Sequence, residues 1–156
     1  MAYTRKRTAK RTRPKDRTCY ETAVYLLQFR DQSEKDLTRK LKEREYTEKE
    51  IEEAMERLRD YEYVNDENLA DELFEAYRRR AQYGDAYIHQ KLKLKGLATE
   101  KHLQLEEEIE MAAALLQKKW GMSPKLRTDF KKSASFLLRR GFSHDAVMTV
   151  MHEMDF

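Results

Sequence analysis

The sequence predicts an all-α protein: three tandem three-helix repeats forming an elongated curved molecule. The first observation is a pattern that occurs three times. Leu37-x-x-Lys40-Leu41-x-x-Arg44-Glu45-Tyr46 is echoed by Ile88-x-x-Lys91-Leu92-x-x-Lys95-Gly96-Leu97, and more weakly by Ser133-x-x-Phe136-Leu137-x-x-Arg140-Gly141-Phe142. The copies begin at 37, 88 and 133, spacings of 51 and 45 residues, and such a period marks one supersecondary unit built and stacked repeatedly. The second observation is composition: 39% of the residues are charged, against only four Gly and two Pro, so turn formers are scarce. The third is apolar spacing at i, i+3, i+4 and i+7 along nearly every segment, the signature of one buried helical face.

Each element follows in order. Residues 1–17 have no apolar periodicity and read as a disordered basic arm. Thr18-Cys-Tyr-Glu21 is a capping box, and Tyr20, Ala23, Val24 and Leu27 keep helical spacing behind it. Ser33 caps a second helix carrying Leu37 and Leu41, and Thr47 a third carrying Ile51, Ala54, Met55 and Leu58. These make the first repeat, residues 18–64. The second, 65–106, opens with a long helix carrying Leu69, Leu73, Ala76 and Tyr77, and runs to about Gln82. Gly84-Asp85 starts a short helix with Ile88 and Leu92, Gly96 stops it, and Thr99 caps the next. The third, 107–156, shows Ile109, Ala112, Ala113 and Leu116, a break from Gly121 to Pro124, a helix ending at Gly141, and a last helix capped by Ser143. Nine helices and no strand are expected.

Gly96 and Gly141 follow a cation at a helix end, as a left-handed C-terminal cap requires. Glu45 holds that place in the first repeat. A side chain there costs about 1 kcal/mol if the same geometry is kept, so a looser or different cap is the alternative.

Charge is unevenly spread. Residues 1–17 carry eight basic side chains and one acidic, residues 18–108 sixteen and 23, and residues 109–156 eight and five. Basic ends around an acidic middle point to a polyanionic partner, single- or double-stranded DNA bound nonspecifically. No apolar run approaches the roughly 18 residues of a membrane span. The basic N-terminus lacks the apolar stretch of a secretory signal, and the lone Cys19 suits a reducing cytoplasm. Cys19 itself reads as a small apolar side chain on the first helix. Membrane association is not expected, and a monomer is.

The residues taken as partner- or DNA-binding candidates are cationic. Lys40 and Lys91 are equivalent in the repeat, as are Arg44, Lys95 and Arg140; Arg139 flanks the same turn. The plainer reading is that such cations snorkel over the core edge and satisfy helix dipoles. Arg78 and Arg79 belong to a run of three arginines that cannot all share one helix face. Arg5, Lys6, Arg7, Lys10, Arg11 and Arg13 belong to the arm, for which a solubilising tail is the alternative. Tyr46, Leu97 and Phe142 follow the turns and pack back on their helices, so the aromatics demand no stacking platform. Trp120 is assigned to the core edge in preference to a partner anchor, and Met148, Met151 and Met154 to a helix face.

Catalysis finds little support. His89, His102, His144 and His152 show no paired metal-ligand spacing with carboxylates and no nucleophile partner, so neither a metal nor a catalytic site is expected. The glycines are isolated, so there is no phosphate loop and no cofactor is implied.

The local words, in order on the repeat, are Tyr25-Leu-Leu-x-x-Arg30-Asp-x-Ser33-Glu34-x-Asp36-Leu37, Lys40-Leu41, the run Ile51 to Asp66, and Arg139-Arg140-Gly141-Phe142-Ser143. Together they resemble the RecX family, bacterial regulators of the RecA recombinase, over about residues 18–154. The resemblance implies a cytosolic protein lying along the groove of the RecA–single-stranded DNA filament. There it would oppose filament growth, ATPase, strand exchange and RecA-stimulated repressor cleavage, with no chemistry of its own. The chain departs from the pattern at Glu45 and in its basic arm. Two other readings stand beside this one: a DNA-binding protein using Ser33–Arg44 as a helix-turn-helix, and a purely structural helical adaptor.

Overall fold

The computed structural model describes residues 17–154. The chain forms two compact units, divided between Leu69 and Ala70. Among the described residues there are eight α-helices and no strand, as the apolar spacing requires.

The first unit holds α1 (Cys19–Leu27), α2 (Glu34–Glu43) and α3 (Glu48–Asp60). Each begins where a hydroxyl satisfies an orphan amide: Thr18, Ser33 and Thr47 accept from the N–H of Glu21, Asp36 and Glu50 at 3.2, 3.1 and 3.2 Å. The three inward faces close over one apolar cluster containing Ala23, Leu26, Leu37, Leu41, Ile51, Met55 and Leu58. α4 (Asp66–Arg80) starts beside it, where the Asp66 carboxylate accepts the Glu34 amide at 3.0 Å. Burial raises the Asp66 pKa above the usual carboxylate range, against that hydrogen bond.

The turn after α2 repeats later in the chain. Arg44, Lys95 and Arg140 are the C-terminal caps of their helices. The next residues, Glu45, Gly96 and Gly141, have φ of 65°, 72° and 86°. Tyr46, Leu97 and Phe142 then fold back, each buried. The Tyr46 and Leu97 amides reach the carbonyls of Leu41 and Leu92 at 3.3 and 2.9 Å, the long-range bond of a Schellman cap. Glu45 therefore keeps the left-handed geometry. Tyr46 adds a polar tie: its hydroxyl donates to the Arg17 carbonyl at 2.9 Å and lies 2.6 Å from the Thr22 hydroxyl.

The second unit contains the rest of α4, then α5 (Asp85–Leu94), α6 (Leu105–Met122), a 3-10 turn at Pro124–Thr128, α7 (Phe130–Arg139) and α8 (His144–Glu153). α6 packs on α7 and α8 around Ala112, Leu116, Leu137, Val147, Val150 and Met151. Trp120 closes this core from the edge, donating to the Ser133 hydroxyl at 3.0 Å, which in turn donates to the Leu126 carbonyl at 2.8 Å.

One expected helix is absent. Thr99 starts none, and residues 97–104 are irregular. Tertiary partners take the groups that such a helix would use. The Thr99 hydroxyl donates to Asp71 at 2.6 Å, Lys101 pairs with Glu75 at 3.0 Å, and the Leu103 amide donates to Asp85 at 2.7 Å. α4 also ends earlier than expected, at Arg80, because Ala81 turns left-handed with φ 52°.

Two features tie the second unit together. The Gly84 amide donates to the Arg140 carbonyl at 2.8 Å. A Cβ on Gly84 would sit 2.3 Å from the Gly141 and Phe142 backbone, and one on Gly141 would sit 2.5 Å from Tyr87. The second feature is Glu108, buried on α6. Its carboxylate accepts the Ser143 amide at 3.0 Å. That side chain thus serves the start of α8. Burial raises its pKa, the Asp85 charge adds to the shift, and the Ser143 amide only partly offsets it.

Two stability outcomes follow. Glu45→Gly should stabilise the first unit by about 1 kcal/mol in urea unfolding, since glycine removes the left-handed cost. Gly84→Ala should cost on the order of 3 kcal/mol through overpacking against backbone, whereas Gly121→Ala, with nothing within 4 Å of its new methyl, should be neutral or stabilising. Equal melting temperatures for the two alanine variants would contradict the close-approach argument.

Candidate partner-binding surface

The cations read from the sequence separate into two sets. One is engaged inside the fold. Arg44 is buried, and its guanidinium donates to the Lys40 carbonyl at 3.0 Å, closing the end of α2. Lys40 donates to the Gln32 amide oxygen at 2.6 Å. Its pKa is lowered, first by burial and then by the charge of Arg30, with Arg39 and Arg44 adding to it. Four cations therefore crowd one end of α2, tempered by Asp36.

Arg78 faces inward from α4. It pairs with Glu75 at 3.0 Å, lies 3.2 Å from Glu107, and donates to the His102 carbonyl at 3.1 Å. It fastens the 97–104 segment to α4 and is not free for a partner. Arg79 and Arg80, the next two residues, are exposed, as consecutive helix positions require.

Arg140 is also structural. Its side chain donates to the Gln82 carbonyl at 3.2 Å and lies over the rings of Tyr83 and Phe136, 5.4 and 5.0 Å from their centroids. Arg139 is different. It is exposed, and among the described residues it has no ion pair or ring contact. Lys91 lies over Tyr87 at 5.3 Å, and Lys95 is half-buried at the end of α5. Arg5, Lys6, Arg7, Lys10, Arg11 and Arg13 lie outside the described residues.

The structure brings together a group that the sequence reading passed over. Tyr83 and Tyr87 stack with centroids 3.8 Å apart and planes 8° from parallel, and Tyr77 meets both edge-on. Arg80 sits 5.7 Å from the Tyr77 ring, and Lys119 reaches Phe136 at 5.5 Å. The result is a half-buried aromatic row with Arg80, Lys91, Lys119 and Arg140 on its rings. Burial raises the Tyr87 pKa, and its tyrosine neighbours add to the shift. The four-residue interval from Tyr83 to Tyr87 was the available signal. It was obscured because Tyr83 stands before the helix, on the turn that crosses Gly141.

The structure also brings two of the histidines beside one carboxylate. Asp85 and His89 are one helical turn apart, and the chain returns at His102 to complete a cluster with them. His144 and His152 stay separate on α8. No helix of the described residues is long and apolar enough to cross a membrane.

Comparison with known proteins gives a consistent result. The family description "RecX, first three-helix domain" matches residues 19–58, and "RecX, third three-helix domain" matches residues 106–151. The chain is 34% identical over 140 residues to the regulatory protein RecX of Actinobacillus pleuropneumoniae serotype 5b, covering 82% of this chain and 87% of that one. It is 29% identical to the regulatory protein RecX of Trichlorobacter lovleyi, over 83% and 90% of the two chains. The crystal structure of RecX from Lactobacillus salivarius superposes with a TM-score of 0.76 at 25% identity, covering 88% of this chain and 94% of that one.

The two adjacent arginines should separate in a charge-reversal experiment. Arg140→Glu should lower unfolding stability by on the order of 2 kcal/mol, from the lost carbonyl bond and ring contacts. Arg139→Glu should stay within about 0.5 kcal/mol of the parent. Equal losses in chemical denaturation would refute the division into structural and free cations.

Proposed function

The chain belongs to the RecX family, and from that premise we propose that it is a negative regulator of the RecA recombinase, docking along the RecA–single-stranded DNA filament. The observation that carries this reading is likeness over four-fifths of the chain to regulatory proteins. The cation-rich aromatic row on the second unit supports it, because it offers charge and flat apolar area together. Exposed Arg79, Arg80 and Arg139 are the residues proposed to meet the partner, with Lys91 and Lys95 as further candidates.

The mechanism is steric and electrostatic. The proposed modules, residues 18–64, 65–106 and 107–156, would bridge neighbouring recombinase protomers and hinder their exchange. Bridging lowers filament growth, ATPase, strand exchange and coprotease activity together, since all depend on one filament state. The arm at residues 1–17, with a net charge of +7 from eight basic and one acidic side chain, would add nonspecific phosphate contacts with steep salt dependence. The protein would act in the cytoplasm, as a monomer and without catalysis.

The deciding assay is the DNA-dependent ATPase of the cognate recombinase, titrated with this protein at saturating and at excess single-stranded DNA. The expected result is a fall at sub-stoichiometric protein that survives the excess DNA. Arg139→Glu combined with Arg79→Glu should weaken that inhibition about tenfold with the fold intact, if each reversal removes roughly 0.7 kcal/mol of contact. Inhibition erased by added DNA would replace filament docking with simple sequestration of DNA.

A further inference from the structure

The cluster of Asp85, His89 and His102 does more than a helix start needs. Asp85 opens α5, His89 stands one turn later, and His102 lies in the irregular segment between α5 and α6. The Asp85 carboxylate is held by the Leu103 amide, 2.7 Å from Oδ1. His102 Nδ1 lies 2.8 Å from Asp85 Oδ2, and His89 Nε2 lies 3.6 Å from Asp85 Oδ1. The imidazoles stack with centroids 4.6 Å apart and planes at 28°, so both present a ring nitrogen toward one carboxylate.

We propose that Asp85, His89 and His102 form a binding site for a late first-row divalent cation, with Zn²⁺ the best fit. One donor atom from each residue lies within 4.8 Å of the other two. Metal–ligand bonds of about 2.0–2.2 Å place neighbouring donors roughly 3.4 Å apart in a tetrahedral site. Closing on an ion therefore asks for a shift of about 1 Å or a little more. His102, with its side chain 59% exposed, can supply that shift by a change of rotamer. Two imidazoles and a carboxylate suit Zn²⁺, Ni²⁺ or Cu²⁺ better than Mg²⁺ or Ca²⁺, which prefer all-oxygen shells.

The surroundings fit a cation. Phe74 packs beside His89, its ring centroid 5.9 Å away. The nearby positive groups are occupied, Lys101 by Glu75 and Arg78 by Glu75 and Glu107. His89 Nε2 is also 3.0 Å from the Lys101 carbonyl. Metal binding moves its remaining proton to Nδ1, leaving Nε2 as the ligand. With three protein ligands, a fourth position stays open for water or a partner's side chain. The ion would clip the non-helical 97–104 segment onto the start of α5. This inference is independent of recombinase binding.

The test uses the full chain, stripped with chelator and titrated with ZnCl₂ by calorimetry, and with CoCl₂ by visible absorption. One equivalent of Zn²⁺ should bind and raise the melting temperature, and Co²⁺ should develop ligand-field bands of nitrogen–oxygen coordination. His102→Ala and His89→Ala should each weaken binding about tenfold or more, while His152→Ala should leave it unchanged. His89→Ala removes a packing contact with Phe74, so the exposed His102→Ala variant, checked by circular dichroism, is the decisive one. A His102→Ala protein that binds Zn²⁺ as tightly as the parent, or a parent with no stoichiometric binding at micromolar Zn²⁺, would overturn the proposal.

Discussion

Backbone meets backbone where the turn before α5 crosses the turn before α8, and the second unit is organised around that crossing. Gly84 and Gly141 approach so closely that neither has space for a methyl group. The contact is hydrogen-bonded as well as tight, since the Gly84 amide donates to the Arg140 carbonyl. Two helix starts are thereby held side by side, and Glu108 places its carboxylate on the Ser143 amide. The positive end of α8 and the Ser143 amide favour its charged form, against the effect of burial. Loss of the crossing would leave that carboxylate buried without its donor.

The crossing also positions the aromatic row. Tyr83 and Tyr87 flank Gly84 in sequence, and Arg140 precedes Gly141, so the glycine contact brings cation and rings together. Arg140 therefore has three tasks: helix cap, carbonyl donor and ring partner. The neighbouring Arg139, one residue and about 100° of helix away, is left facing solvent. Adjacent charges of one kind thus separate into one that maintains the fold and one available to a partner.

The same division runs through the second unit. Its engaged cations set the geometry of turns, and its exposed ones set the charge of the surface. Acidic helix starts and basic helix ends recur along the chain, satisfying dipoles while keeping the central region negative overall. Most of the described lysines and arginines remain exposed, so the surface carries both signs of charge.

Local chemistry determined the helices. The hydroxyl caps at Thr18, Ser33, Thr47 and Ser143, the apolar spacing, and the Lys/Arg–Gly–apolar turn endings depend on contacts within about five residues, which sequence displays directly. The buried positions of Tyr46, Leu97, Phe142 and Trp120 followed from the same rules. Tertiary structure alone decided the rest. Thr99 lost its helix because Asp71, Glu75 and Asp85 offered its neighbours better partners. Glu108, an acid in what looked like a solvated run, became a buried acceptor for the Ser143 amide. The tyrosine row and the Asp85–His89–His102 cluster depend on which turns cross and which segment returns, over separations of 17 to 58 residues. Periodicity records which face of a helix is buried; only packing decides which distant side chains share that burial.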